Sequence, residues 1–179
     1  MPMSLMRFLL LSSCFFLGCS PSWEQLQPAE GDISSLAKFK PAFSVALYNT
    51  QVDVMGNHLS GLLMIKKMPD QSTRLVFSNE MGYKFFDFEF DSAGKFKVYS
   101  VIEQMNRKAV LKTLAKDLEL VLMQHLDKSN MKVRRSGSLT YYIFPQLKGY
   151  NYYITDSTGN ELVRMERASR SKIDRKSVV

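Results

Sequence analysis

The segment Thr73–Asp91, TRLVFSNEMGYKFFDFEFD, constrains the fold more than any other stretch of the chain. In its second half Lys84, Phe86, Phe88 and Phe90 alternate with Phe85, Asp87, Glu89 and Asp91. A period of two puts the two sets on opposite faces of a strand, so the segment requires a sheet with one apolar and one wet face. Arg74–Asn79 reads as the paired strand. Asn79-Glu80-Met81-Gly82 joins the two, with Asn and Gly supplying turn geometry. A methionine at the tip of a turn is unusual: either Met81 folds back onto the sheet or it projects from it.

The flanking sequence alternates in the same way. In Phe43–Val54 the apolar phase changes, Phe43, Val45 and Leu47 being odd and Tyr48, Thr50, Val52 and Val54 even. That change predicts a bulge or a strong bend. Gly56-Asn57-His58 turns the chain into Leu59–Lys67, Pro69-Asp70 turns it again, and Ala93-Gly94 leads into Lys95–Ile102. Five strands thus precede any long helix. A short helix is expected near Ile33–Phe39, and a long one from Arg107 to about Gln124, capped by Asn106. Val110, Leu111, Leu114, Leu118, Val121 and Leu122 give the long helix one broad apolar face, and Lys108, Lys112 and Lys116 form a ridge at i, i+4, i+8. Strand patterns resume at Met131–Arg135, Leu139–Phe144, Tyr150–Thr155 and Glu161–Glu166.

The expected fold is therefore α+β: a curled antiparallel sheet, an open half-barrel, with one long amphipathic helix as its lid. A sheet that curls without closing leaves a concave apolar face. Phe86, Phe88 and Phe90, under Leu114 and Leu118 of the helix, are the natural lining of a lipid-binding cavity.

With 179 residues the chain has room for one domain. Its N-terminus points to export. After Arg7, the apolar run Phe8–Leu17 is too short to span a bilayer, which takes about 20 residues, but suits the hydrophobic core of a signal peptide. It ends in Phe16-Leu17-Gly18-Cys19-Ser20, which resembles the bacterial lipoprotein box, with Phe16 where Leu is usual. The resemblance implies that Cys19 is the lipid-attachment site, acylated with fatty acids of the palmitate class, and becomes the mature N-terminus. Ser20 in place of an aspartate implies the outer membrane, with the domain facing the periplasm. The expected divisions are a signal peptide at 1–18, a tether at 19–40, a folded domain at 41–168 and a disordered basic tail at 169–179. Removing Cys14 with the signal and acylating Cys19 leaves no free thiol for a disulfide, a metal or catalysis.

The net charge is +7, and Arg164–Val179 alone carries six basic residues against two acidic ones. Such a tail fits an anionic membrane surface or a solvated end, and export argues against nucleic acid as a partner. Catalytic chemistry is sparse. His58 lies in a turn near Ser60, and His125 closes the long helix, where a cation suits the helix dipole. Neither stands in a nucleophile or metal-ligand spacing. Asp87, Glu89 and Asp91 share a strand face and read as its wet side rather than as a calcium site. No enzyme, cofactor or metal is expected.

An acylated cysteine, a tether, curling antiparallel strands, an amphipathic helix and further strands, in that order, resemble the outer-membrane lipoprotein receptor LolB and its periplasmic carrier LolA. Two places carry the resemblance: Ser60-Gly61, which opens a strand in that family's manner, and Asn79-Glu80-Met81-Gly82, which matches a turn of the type Asn-Pro-Leu-Gly. The turn's apolar residue projects into the membrane in that family, which implies that Met81 is the membrane- or cargo-contact tip. Glu80 replaces the proline. The expected function is an outer-membrane lipoprotein that binds acyl chains or lipoproteins in an apolar cavity, acting in lipoprotein localisation. Its partners would be the membrane, a lipid or lipidated protein, and a periplasmic carrier. The alternative is a structural or envelope-assembly lipoprotein with a filled core and a protein partner.

Overall fold

Short turns between alternating segments dictate hairpins, and hairpins make up most of the molecule. The computed structural model describes residues 26–124, 126–169 and 176–178. The signal segment, Cys19, Trp23 and His125 lie outside the described residues. In chain order the elements are β1 (Gln27–Pro28), α1 (Ser34–Ala37), β2 (Val45–Val54), β3 (Asn57–Lys67), β4 (Thr73–Ser78), β5 (Lys84–Phe90) and β6 (Phe96–Val101). Then follow α2 (Lys108–Val121), β7 (Lys132–Ser136), β8 (Leu139–Gln146), β9 (Gly149–Asp156), β10 (Leu162–Ser169) and β11 (Lys176–Val178). The fold is α+β and the strand pairing is antiparallel.

The strands fall into two sheets rather than one continuous curl. Strands β2 to β6 form a five-stranded meander in sequence order, and the six-stranded second sheet runs β1-β7-β8-β9-β10-β11. The meander breaks where α2 intervenes, so β7 takes β1 as its neighbour through Gln27↔Arg135 and Pro28↔Arg134. The tail, expected to be without structure from Ser169, contributes β11, whose Met165↔Val178 and Arg167↔Lys176 pairs occupy the edge of β10. A strand edge with unpaired N–H and C=O groups is a template for such pairing even by a segment with no apolar period.

Helix α2 belongs to both cores. Val110, Leu118 and Leu122 pack with Leu63, Ile65, Leu75, Phe77 and the phenylalanines of β5. Leu120 packs with Leu36 of α1 and with Tyr142, Phe144, Tyr153 and Met165 of the second sheet. Leu120 lies two residues from Leu118, hence on another side of the helix. The single apolar face expected for α2 is thus supplemented by a second contact. Two polar bonds fix that contact: Tyr153 Oη donates to the Leu120 carbonyl at 3.1 Å, and Arg167 pairs with Asp117 at 2.9 Å. Burial raises the Tyr153 phenol well above its ordinary pKa, which keeps it a hydrogen-bond donor. Lys108, Lys112 and Lys116 are exposed, and Lys116 meets Glu119 at 3.1 Å. The N-cap is Arg107 rather than Asn106, with no side-chain cap bond; Asn106 instead ends a 3-10 turn, Glu103–Met105. The second sheet's other face also carries buried residues, among them Tyr141, Ile143, Tyr152 and Ile154.

The phase change in β2 produces no bulge. Its ten residues pair with β3 without a register shift, and Val45 and Leu47 face solvent instead, 49% and 64% exposed. The register shifts lie elsewhere in this sheet, between Phe77 and Ser78 and between Asp87 and Phe88.

Candidate functional site

Three connections converge at one end of the five-stranded sheet: the β2–β3 hairpin at Met55-Gly56, the β4–β5 turn, and the link from β6 into α2. Strand β3 is longer than β4 at this end, since Leu62 is the residue opposite Ser78 and Asn57–Gly61 run past it. Beyond Ser78 the chain crosses over Gly61 and reverses.

That reversal is tightly specified. The Gly82 N–H donates to the Asn79 carbonyl at 3.0 Å, and the Asn79 N–H donates to the Tyr83 carbonyl at 3.0 Å. The Asn79 side chain adds a third bond, accepting from the Tyr83 N–H at 2.8 Å. Gly82 has φ +82°, the left-handed conformation that closes a three-residue loop begun as an ordinary turn. Glu80 is accommodated because no proline is needed to hold this geometry. Met81 sits at the outermost position, 93% exposed. It projects from the sheet; it does not fold back.

Met81 has apolar company. Met55 and Tyr83 are 58% and 59% exposed. Between the hairpin, the turn and the β6–α2 link lies a recess of about 190 Å³. Val54, Leu59, Phe85 and Ile102 are its half-buried walls, and Met105 is its fully buried base. Asn57, Tyr83 and Gln104 form its exposed rim. The register shift at Phe77/Ser78 turns Phe85 to the same side as Phe86, and its ring lies 5.0 Å from that of Phe77. Alternation alone had placed Phe85 with the acidic residues. A second recess, of about 660 Å³, lies along β1 and β7 between Gln27–Glu30 and Arg135–Gly137 and shares no residue with the first.

Phe86, Phe88 and Phe90 are brought together with Leu118, and Leu114 packs against them half-buried. They are packed against one another: the rings of Phe86 and Phe88 stack with centroids 4.3 Å apart, and Phe88 and Phe90 both touch Phe96. Neither recess is lined by any of the five residues.

Comparison with protein-family models, with curated proteins and with solved structures finds no match to this chain. The site therefore rests on its own geometry. Among the described residues no helix is long and apolar enough to cross a membrane.

On the opposite face of the sheet, the expected wet side of β5 is buried. Asp87 and Glu89 are only 6% and 8% exposed. Arg74 covers them, its Nε donating to Asp87 at 2.5 Å and its Nη1 lying 3.5 Å from Glu89. Lys84 reaches Asp87 at 3.1 Å, and Lys97 reaches Glu89 and Asp91, each at 3.4 Å. The Arg74 guanidinium lies over the Tyr99 ring, 3.5 Å from its centroid, and Tyr99 Oη donates to Glu89 at 3.2 Å. Burial alone would raise the Asp87 carboxyl. The hydrogen bond from Arg74, with Lys84 and the charge of both, outweighs it and holds Asp87 below the ordinary aspartate range. Long cationic side chains thus form a roof over the carboxylates. Exposure could not be foretold from alternation, because alternation reports the side of a strand and not what lies above it. His58 Nδ1 lies 2.7 Å from Asp53, both residues exposed on the β2–β3 hairpin.

Proposed function

We propose that this protein is a lipid-anchored binding protein of the bacterial outer membrane, similar in working principle to the LolB and LolA family, whose sheet end contacts apolar membrane or lipidated cargo. The observation that carries this reading is Met81, 93% exposed on a turn that three hydrogen bonds hold in place. An exposed apolar residue on a rigid support contributes little to folding, and its contact area becomes useful only against another apolar surface. In this reading the two sheets are the walls of an open half-barrel with α2 as its lid, Cys19 supplies the anchor, and a periplasmic carrier is the partner in lipoprotein localisation.

The filled state of the phenylalanine layer favours a second reading, a structural or envelope-assembly lipoprotein that binds a protein partner. Phe86, Phe88 and Phe90 are at most 2% exposed and occupy the space that an acyl-chain cavity under Leu114 and Leu118 would need.

Vesicle flotation separates the two. In a chain produced without residues 1–19, so that neither the apolar signal run nor an acyl anchor contributes, Met81→Glu should leave the melting temperature unchanged and weaken association with phospholipid vesicles. Unchanged association would favour the second reading, and a large loss of stability would mean that Met81 supports the fold.

A further inference from the structure

Among the described residues β2 ends its sheet, with β3 as its only neighbour. The Lys67 N–H donates to the Ser44 carbonyl at 2.8 Å, and the two strands pair without a register shift. In an antiparallel ladder alternate residues bond the neighbouring strand, so the even residues from Ala46 to Val54 turn their backbone groups to β3. The N–H and C=O groups of Val45, Leu47, Asn49, Gln51 and Asp53 then point to the open edge, and all five residues are exposed.

This edge lacks the devices that prevent pairing. Protected edges carry lysine or proline, contain a bulge, or are very short. The other sheet edges among the described residues follow that rule. Strand β1 has two residues, one of them Pro28, and β11 has three, opening on Lys176. Strand β6 carries Lys97, and its pairing with β5 contains a register shift. Strand β2 runs for ten residues with no lysine, proline or bulge, and its single charge, Asp53, stands near its far end. We infer that β2 pairs with β2 of a second copy of this chain, antiparallel about a twofold axis at Leu47, joining the two five-stranded sheets into one.

The side chains select this partner and this register. Val45, Leu47 and Tyr48 are each 45% or more exposed, whereas the remaining exposed residues of β2, Asn49, Gln51 and Asp53, are polar. Apolar exposure is thus confined to one half of the strand, and it occurs on both faces. Tyr48 shares the core side with Ala46, whose neighbour on β3 is the buried Ile65, and Val45 and Leu47 lie on the other side. An axis at Leu47 covers both faces at once. Leu47 then stands opposite Leu47 of the second copy, with Val45 and the half-buried Met64 beside it. On the core side Tyr48 lies opposite the small Ala46 of the second copy, and the match repeats by symmetry. Asp53 falls beyond the paired segment, so no like charges meet. A foreign strand would have to supply this match; a second copy carries it. The pairing uses none of the residues assigned to the membrane contact at Met81.

The test measures the molar mass of the detergent-solubilised full chain by light scattering, with the detergent contribution subtracted. A dimer is expected. Leu47→Lys sets two cations opposite each other on the axis, and Leu47→Glu sets two anions. Each variant alone should be monomeric with an unchanged melting temperature, since like charges directly opposite disfavour pairing and the position is exposed. Co-expressed, the two should recover the parent's dimer mass, because a pair of opposite charges replaces both repulsions. Asp53→Lys, outside the paired segment, should stay dimeric. A monomeric parent would overturn the pairing, as would a dimer that survives both Leu47 variants or one that Asp53→Lys also breaks. Monomeric Leu47 variants whose mixture stays monomeric would overturn the axis at Leu47. A chain of different sequence, found by mass spectrometry in the parent complex and lost with Leu47→Lys, would overturn the second copy as the occupant.

Discussion

A Cβ at position 61 would overlap the carbonyl oxygen of Ser78, and Asn79 Cα would lie 3.0 Å from it, so the chain leaving β4 runs directly against Gly61. This contact sets where the Asn79–Tyr83 turn stands above the sheet and hence where Met81 points. Gly61→Ala should therefore displace the turn. Its expected cost is about 1–3 kcal/mol, that of overpacking a close contact, read as a lower urea midpoint with an unchanged m-value. Vesicle association should fall with it.

Phe88 is fully buried and stacked on Phe86. Phe88→Ala should cost about 3–5 kcal/mol in denaturant unfolding, the cost of truncating a packed core aromatic. Binding of a fluorescent fatty acid that depends on Phe88 would instead show that the phenylalanine layer opens to ligand.

Asp87→Asn removes one charge from the buried network under Arg74 and replaces one of the two acceptor oxygens, which take bonds from Arg74 and Lys84, with an NH2 donor that faces a cation. A loss of about 1–3 kcal/mol is expected near neutral pH. The sign of the pH dependence follows from the direction of the shift. Because the folded-state pKa is depressed, the stabilisation from Asp87 is complete above the unfolded value of about 3.9 and is lost as pH falls through the lower folded value. Urea titrations from pH 7 into that acid range should show the parent and the variant converging.

Tyr153→Phe deletes the bond to the Leu120 carbonyl while keeping the ring. The expected loss is about 0.5–1.5 kcal/mol, accompanied by faster amide exchange in the last turn of α2.

Cys19→Ser tests the anchor. The variant should accumulate as an unprocessed precursor that takes up no labelled fatty acid; normal processing and membrane recovery would remove the lipoprotein reading.

Local pattern made most of the architecture legible. Strands β2 to β10 and helix α2 were expected within a few residues of their observed bounds, because alternation and turn residues act over short distances. The protruding Met81 could be read only as one of two options, since burial depends on how the turn is held, and the Asn79 and Gly82 bonds decide it. Features that depend on distant partners were not legible. Nothing in β5 announces that Arg74 and Tyr99 cover its acids. The period of α2 gives no warning that Leu120 meets a second sheet. Gly61 and Met105 carry local signals too weak to single them out: a glycine within a strand, and a methionine just before a helix.

Chain order also orders assembly. Within β2 to β6 every neighbour is the next strand, so each pairing closes a short loop and can form as soon as its two segments are present. The β1–β7 pairing joins Gln27 to Arg135, across nearly the whole domain. In a chain delivered from its N-terminus, β1 must wait for the helix and the start of the second sheet before its edge exists. Strand β1, the first strand among the described residues, is then expected to close late, as a clasp on the finished fold. Pulsed hydrogen exchange during refolding would test this: amides of β3 to β5 should gain protection before the Ala29 N–H, whose acceptor is the Val133 carbonyl at 3.2 Å.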